Sequence, residues 1–481
     1  MRGFSAIPVA IAAVLLVSCA SLHGENGERP ALEDLAYKPI KTDIPKTKRL
    51  VLSNGMVVHL LPDHELPLFQ INAMVRVGSI WEPAEKAGLA GLTGAVIRSG
   101  GTLTRDPETL DETLERIAGS VETSIGEESG SATLSVLSKD IDIGLELFAD
   151  VVRNPRFDKD RFELAKARML DSIRRENDEP THIADRELEK LLYAGTPYGR
   201  VPTLETVESI TLDDVRAFHR KYFRPANFII GVTGDFDEKT IVRKLEEAFK
   251  GWNGPASEYP TVAPARAGGE GEVALAEKTL KQSVIRMGHL ALRRTDPDYY
   301  AFRVMNSILG GNGFSSRLMK KIRTDRGLAY SIWSYHFGGR RELGSLKIGV
   351  ETKTSSTAEV MSLILKEVER IREERVSARE LELAKKSIVN SFIFIFDKPT
   401  RIMSQRMIID YYGFPEDYLE TYRDKIMKVT ADDVLRVAKE YLHPDRLKIV
   451  VVGDPSGFDR PLSEFGKVKR IELRDYSAVE R

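Results

Sequence analysis

The feature that most constrains the fold of this 481-residue chain is an internal repeat with a spacing of 219 residues. The segment Ile210-Thr211-Leu212-Asp213-Asp214-Val215 returns as Val429-Thr430-Ala431-Asp432-Asp433-Val434, and a tyrosine, a proline and a Gly-Asp pair follow each copy at the same distances. Residues 160–235 and 379–454 share 20 identities in 76 ungapped positions, well above the level of unrelated sequences. Two copies are too few for a solenoid, so the sequence predicts a duplicated domain.

A Pro/Gly/Ala-rich stretch between the copies is predicted to be an interdomain linker. The predicted organisation is a signal peptide, a tether, an N-terminal domain, the linker and a C-terminal domain, at residues 1–18, 19–45, 46–250, 251–271 and 272–481.

Each copy has the same order of elements, with strands first, helices next, and a closing strand. Asn54-Gly55 between two apolar runs is a strong hairpin signal. Residues 107–117, 141–152 and 158–175 show helical periodicity, and Phe228-Ile229-Ile230-Gly231-Val232 indicates a buried strand. Because strands and helices do not alternate regularly, we expect an α+β fold, with an antiparallel sheet and packed helices in each half.

Composition excludes several classes of function. The 71 Lys+Arg and 72 Asp+Glu residues leave a formal net charge of -1, which provides no overall attraction to nucleic acid, so no nucleic-acid partner is expected. One cysteine allows neither an internal disulfide framework nor a cysteine-based zinc ribbon. The eight histidines include no pair at metal-ligand spacing, and we interpret them as ordinary core or surface residues.

The N-terminus predicts export. An apolar run from Ala6 to Val17 is short for a membrane span but suits a signal peptide, and Ser18-Cys19 follow it directly. This arrangement resembles the lipobox of bacterial lipoproteins, in which the cysteine is lipidated. The sequence therefore predicts a lipoprotein anchored through Cys19 at the periplasmic face of a membrane, with the outer membrane favoured over the inner. The alternative is an ordinary secretory signal with an incidental cysteine.

Several dispersed motifs resemble those of the pitrilysin (insulinase-type, inverzincin) metallopeptidases over residues 45–455. They are Val75-Arg76-Val77-Gly78-Ser79, Glu82-Pro83-Ala84, Lys86-Ala87-Gly88-Leu89-Ala90, Arg156-Phe157, Tyr198-Gly199-Arg200 and Gly313-Phe314-Ser315-Ser316-Arg317-Leu318. The resemblance implies two α+β domains that form half of a clamshell chamber around an extended peptide or unfolded polypeptide.

The zinc motif of that family is degenerate in this chain. Active members carry H-x-x-E-H, in which two histidines on one helix face bind zinc and the glutamate is the general base. Gly91 and Ala95 stand at the histidine positions, Gly94 at the glutamate position and Ser172 at the position of the third ligand. We therefore expect no metal and no cofactor on this chain, with zinc on a homologous partner chain.

A second family feature is present. In the family an arginine and, seven residues later, a tyrosine face the zinc from the C-terminal half, and Arg323 and Tyr330 match that pattern. Their donors suit a peptide carbonyl and its developing oxyanion, supplied in trans. The alternative is a structural pair, with Arg323 bound to solvent or an acid and Tyr330 packed in a strand. The preceding Gly310-Gly311-Asn312-Gly313 is a weak phosphate-loop signal, and a helix C-cap is favoured over a flexible loop.

Two functions from different classes follow. The favoured one is the non-zinc subunit of a heteromeric metallopeptidase, similar to the partner chain of bacterial and mitochondrial processing-type peptidases. It would supply Arg323, Tyr330 and half of the peptide chamber to a zinc-bearing partner. The alternative is a catalytically inactive peptide-binding scaffold or chaperone of the same fold. An autonomous metallopeptidase would need a metal site that the sequence does not contain.

Overall fold

The computed structural model describes residues 44–474 and contains, within them, two six-stranded sheets. The signal peptide, Cys19 and nearly all of the tether lie outside the described residues. The strands of the first half are β1 Lys48–Val51, β2 Val57–Pro62, β3 Leu68–Val75, β4 Ser120–Ile125, β5 Gly130–Leu137 and β6 Phe228–Gly234. Its helices are α1 Leu89–Ser99, α2 Pro107–Arg116, α3 Ile141–Arg153, α4 Lys159–Arg174, α5 Pro180–Leu192, α6 Leu204–Glu208, α7 Leu212–Tyr222 and α8 Glu238–Ala248.

The second half repeats this plan. Its strands are β7 Glu272–Glu277, β8 Gln282–Leu290, β9 Ala329–Phe337, β10 Ser345–Lys353, β11 Lys448–Gly453 and β12 Val468–Ile471. Its helices are α9 Tyr299–Asn306, α10 Thr357–Glu373, α11 Ala378–Phe392, α12 Pro399–Tyr412, α13 Tyr418–Lys428 and α14 Ala431–Tyr441. Two π-helical turns, Ser307–Gly311 and Met319–Thr324, precede β9. The α+β fold with two related halves is confirmed.

The sheets are mixed, whereas the sequence predicted antiparallel ones. The strand orders are β1-β2-β6-β3-β5-β4 and β12-β7-β11-β8-β10-β9. Strand β6 pairs in parallel with β2 and antiparallel with β3, and β11 does the same with β7 and β8. The reason is topological. The closing strand of each half inserts between two strands that already run in opposite directions, so it must be parallel to one of them.

One helix of each half packs on the sheet of the other half. Helix α5 buries Ile183, Leu188 and Leu192 in a cluster with strand residues of the second sheet. Helix α12 buries Met403 and Met407 against the first sheet. The opposite faces of the sheets carry their own helices over the two large apolar cores. This exchange joins the two halves, and residues from Ile44 onward form one compact unit.

The repeated residues perform the same structural task in both halves. Thr211 and Thr430 each form a capping box with the aspartate three residues later, at the starts of α7 and α14. Lys166 on α4 donates to the carbonyl oxygen of Ile210, and Lys385 on α11 donates to that of Val429, the equivalent position. The sequence repeat therefore reflects a structural unit that occurs twice in the chain. None of the described helices has the length and apolar character needed to cross a membrane.

Candidate functional site

Helix α1 carries the three positions at which the family resemblance placed zinc chemistry. Gly91 is half-buried, Gly94 is buried and Ala95 is exposed, and none of them has a side-chain donor or acceptor. A Cβ atom on Gly91 would meet only the mobile Cε methyl of Met169, at 3.2 Å. The histidine positions are thus open to side chains but carry none that can bind a metal.

The glutamate position is different, because Gly94 lies directly against strand β4. An ideal Cβ atom there would be 2.4 Å from the backbone nitrogen of Ile125 and 2.8 Å from the carbonyl carbon of Ser124. The hydroxyl of Thr123 donates to the carbonyl oxygen of Gly94 at 2.8 Å, which holds the strand on the helix. A glutamate at this position would have to displace β4, so the loss of the general base is built into the packing.

The remaining degenerate position, Ser172, is exposed on α4. Its neighbour Asp171 pairs with Arg175 one helical turn away. Within residues 44–474 no group of three or more His, Cys, Asp or Glu side chains has the arrangement to hold a metal ion. The side chains of this described segment do not fit a zinc ion, and no step of a reaction can be assigned to zinc held by them.

The motifs around α1 keep a structural function. The buried Glu82 carboxylate accepts hydrogen bonds from the backbone N–H groups of Gly88 and Ala90, at 2.9 and 2.8 Å, and so caps the start of α1. Burial raises the pKa of Glu82, while these two hydrogen bonds oppose the shift. Arg200 donates to the carbonyl oxygen of Glu82 at 2.9 Å. The motif residues that position α1 are therefore in place, although α1 carries no metal-binding side chain at the zinc-motif positions.

Arg323 and Tyr330 are brought together at the edge of the second sheet. Arg323 lies in the second π-helical turn, and Tyr330 stands near the start of β9, the last strand of the sheet. The N–H of Gly327 donates to the carbonyl oxygen of Arg323, and Gly327 has φ +64°, a conformation that favours glycine. This turn explains the spacing, because it brings the chain back so that the tyrosine ring covers the arginine.

The Arg323 guanidinium lies over two exposed aromatic rings. Its carbon atom is 4.5 Å from the ring centre of Tyr330 and 4.6 Å from that of Phe314. Tyr330 is 83% exposed and Phe314 is 69% exposed, so neither ring is part of the core. No ion pair of Arg323 occurs among the described residues. Both contacts are cation–π interactions, which use the charge of the guanidinium and leave its N–H donors able to bind an oxygen.

The glycine loop that precedes this site packs closely on the neighbouring strand. A Cβ atom on Gly310 would be 2.7 Å from the Ser334 hydroxyl of β9, so the loop lies directly on the strand. Three residues after Phe314 the chain is fixed again, because Arg317 makes two hydrogen bonds to the carboxylate of Glu380, at 2.7 and 3.2 Å. The expected helix C-cap is replaced by a π-helical turn at Ser307–Gly311.

The buried histidines do not form a site. His219 lies in the first half, whereas His289 on β8 and His336 on β9 both pair with Leu346 of β10. Burial lowers the pKa values of the three histidines to about 4, 4 and 3. Burial raises the pKa of the Glu127 carboxyl to about 7, with further contributions from Glu128 and Glu189. These groups lie apart from Arg323 in the sequence and add no metal ligand to α1.

Comparisons with known proteins identify the class of protein. Residues 63–205 match the family model described as insulinase (peptidase family M16), and residues 209–388 match the model described as the peptidase M16 inactive domain. The chain belongs to the M16 insulinase family and is an inactive-type member of it.

Similar chains include proteins named as zinc proteases and one named as a non-peptidase homolog. The non-peptidase homolog YmxG of Helicobacter pylori is 25% identical over 82% of this chain and 90% of its own length. An uncharacterized zinc protease of Mycobacterium bovis is 26% identical over 90% of this chain and 97% of its own length. A crystal structure described as a peptidase M16 inactive domain from Pseudomonas fluorescens has a TM-score of 0.78, with 25% identity, 85% of this chain and 98% of that chain covered.

Sequence reasoning missed two features of the site. The stacking of Phe314 on Arg323 joins residues on either side of a helical segment, and no periodicity signals such a contact. The close approach of α1 to β4 is signalled only weakly, by a glycine inside an otherwise helical pattern.

Proposed function

We propose that this chain is the non-zinc subunit of a heteromeric metallopeptidase. Arg323 and Tyr330 donate hydrogen bonds to the carbonyl oxygen of an extended peptide whose cleavage depends on a zinc-bearing homologous partner. The chain itself contributes binding, orientation and stabilisation of negative charge, and no metal or cofactor of its own.

The observation that carries this proposal is the state of Arg323 and Tyr330. A structural pair would be buried or neutralised, whereas Tyr330 is 83% exposed and Arg323 has no ion pair among the described residues. The two aromatic rings restrict the arginine side chain before any substrate arrives, which lowers the entropy lost when its donors bind an oxygen. The chain lacks metal-binding side chains at the zinc-motif positions but keeps a solvent-facing arginine–tyrosine pair. This combination fits a peptidase in which one chain binds zinc and the other supplies the arginine and the tyrosine.

The length of the chain also supports the proposal that it forms half of a chamber. The periplasmic protease PqqL of Escherichia coli has the same fold, with a TM-score of 0.73 and 16% identity; 92% of this chain covers 50% of that one. A single chain of the present length thus corresponds in fold to half of that protein. Pairing with a second, homologous chain would restore the full size.

The proposed location is the periplasmic face of a bacterial membrane, with the outer membrane favoured and the anchor on Cys19. Two acyl chains on the cysteine would hold the protein stably, whereas one would be marginal. Mass spectrometry of the mature N-terminus tests this location. A chain beginning at a lipidated Cys19 is expected, and an unmodified chain beginning elsewhere contradicts it. The Cys19→Ala variant is the matched control, because it should be released into the soluble fraction.

The proposed function is tested by reconstitution. The partner to use is a family member with an intact H-x-x-E-H from the same genome. We expect cleavage of an unfolded polypeptide by the mixture, and little or none by either chain alone. Co-elution in size-exclusion chromatography should accompany the activity. If the partner is fully active alone and does not bind this chain, the proposal is wrong. If the two chains bind but activity is unchanged, this chain is a peptide-binding scaffold.

A further inference from the structure

A second site lies between the two halves, away from the arginine–tyrosine pair. It is a cavity of about 820 Å³. Its walls come from the end of β3, the turn before α1, the linker, the β9–β10 hairpin and the end of α12. Cavities of 300–1,000 Å³ are the usual size of small-molecule sites.

The arginines that line this cavity outnumber its carboxylates, even when Glu128 is counted, whose carboxylate accepts a hydrogen bond from the lining Tyr198 hydroxyl at 2.8 Å. Four arginines line it, Arg76, Arg293, Arg340 and Arg341, against the two carboxylates of Glu342 and Asp410. Asp410 is already engaged, since its Oδ2 atom lies 2.7 Å from Nε of Arg49 and 2.9 Å from Nε2 of His59. The Glu342 carboxylate accepts a hydrogen bond from the backbone N–H of Ala265 at 3.1 Å. No ion pair of the four arginines occurs among the described residues.

Aromatic rings hold three of these arginines in place. The guanidinium carbon of Arg341 lies 5.1 Å from the ring centre of Trp81 and 5.6 Å from that of Tyr411. Arg340 lies 5.1 Å from the ring centre of Tyr412, and Arg76 lies 5.0 Å from that of Tyr411. Burial raises the pKa of Tyr411 and of Tyr412, so both phenols are neutral and do not balance the positive charge.

Some of the guanidinium donors are already engaged, since Arg76 donates to the carbonyl oxygen of Tyr411 at 3.2 Å, and Arg341 and Arg340 hydrogen-bond to the phenols of Tyr411 and Tyr412. Each guanidinium has five N–H donors, so these contacts leave others for a ligand. The Nε atom of Arg341 is buried and has no hydrogen-bond partner among the described residues. A buried donor without an acceptor is costly, and three fixed cations in one cavity repel each other. Both costs disappear if an anion enters the cavity.

We infer that this cavity binds a small anionic molecule with at least two oxyanion groups, carboxylates or phosphates. The planar forks of Arg340 and Arg341, adjacent on one hairpin, match such groups, and Arg76 faces them from the other half. Because the walls come from both halves and the linker, the ligand also fixes the halves against each other. The site uses no residue of the proposed peptidase function and is independent of a zinc-bearing partner.

The test is isothermal titration of the full chain, at low ionic strength, with citrate as the carboxylate probe and pyrophosphate as the phosphate probe. We expect saturable binding of at least one probe at one site per chain, weakened by added chloride. Citrate binding alone identifies a carboxylate ligand, and pyrophosphate binding alone identifies a phosphate ligand. The absence of saturable binding by both probes overturns the inference.

Variants separate the site from general attraction to the protein. Arg340→Gln and Arg341→Gln should each weaken binding at least tenfold, and Arg341→Lys should weaken it less because it keeps the charge. The control is Arg216→Gln, since Arg216 forms a surface pair with Asp213 and should leave affinity unchanged. The probe should raise the melting temperature of the wild type and of the control more than that of the Gln variants.

Unchanged affinity in Arg340→Gln overturns the inference. Arg340 contacts one ring where Arg341 contacts three, so this variant carries the test if Arg341→Gln does not fold. Lower melting temperatures of the Gln variants, with no effect of either probe on any form, would show that the arginines only join the two halves.

Discussion

Replacing Gly94 by alanine should destabilise the protein, although the same change in a helix is normally favourable. Alanine in a helix interior is about 1 kcal/mol more stable than glycine. At Gly94 the added methyl group would lie 2.4 Å from the backbone nitrogen of Ile125. Since strand backbone cannot rotate away as a side chain can, we take the upper end of overpacking costs, about 3 kcal/mol. The expected net loss is about 2 kcal/mol.

Gly91→Ala in the same helix is the matched control. Its methyl group would meet only the flexible end of Met169 at 3.2 Å, so the variant should be neutral or up to about 1 kcal/mol more stable. Urea unfolding, followed by far-ultraviolet circular dichroism, compares the midpoints of the two variants and the wild type. The order Gly91→Ala, wild type, Gly94→Ala is expected. If Gly94→Ala is as stable as Gly91→Ala, α1 does not pack on β4 as described, and the position could accept a catalytic glutamate.

Three further results are expected. Glu82→Ala should lower the free energy of unfolding in urea by about 2–3 kcal/mol, because two buried N–H groups at the start of α1 lose their acceptor. Glu82→Gln should lower it less. If both variants are as stable as the wild type, Glu82 does not cap α1. Hydrogen bonds from His59 and Arg49, against the effect of burial, lower the pKa of Asp410 to about 2 from 3.8. This carboxylate should therefore add about 1–2 kcal/mol to the free energy of unfolding above pH 4, and this contribution should be lost as the pH falls towards 2. In Asp410→Asn the stability should depend less on pH in that range. Elemental analysis of the chain alone should find no stoichiometric zinc, and chelator-sensitive peptidase activity would refute this.

The sequence was sufficient for the duplication and for the class of fold. The repeat fixed the equivalence of Thr211 and Thr430, and the structure gives both residues the same capping box. The exchange of α5 and α12 could not be predicted, because an apolar helix face shows that a helix is buried but not which sheet it covers. The parallel pairing of β6 with β2 depends likewise on where a strand returns after a long helical segment.

The candidate site was predictable in its residues but not in its geometry. The spacing of Arg323 and Tyr330 identified them, and the glycine turn between them accounts for their contact. The second ring, Phe314, depends on the path of a loop that no pattern encodes. The arginine cavity could not be predicted from the sequence either. Arg76 and Arg341 are 265 positions apart in the chain and line the same cavity only because the two halves pack together.

The proposed function is tested most sharply by the steady-state kinetics of the reconstituted two-chain complex with Tyr330→Phe. The phenol should stabilise charge that develops during cleavage, and removing one such donor typically costs about 3–4 kcal/mol, or 10²–10³ in turnover. We expect kcat to fall by that factor while assembly with the partner is unchanged, and Arg323→Ala should in addition raise KM. Tyr335→Phe, another exposed tyrosine on β9, is the control and should retain wild-type turnover. If Tyr330→Phe and Arg323→Ala both match the wild type, this chain does not contribute to the chemistry, and the proposed function is wrong.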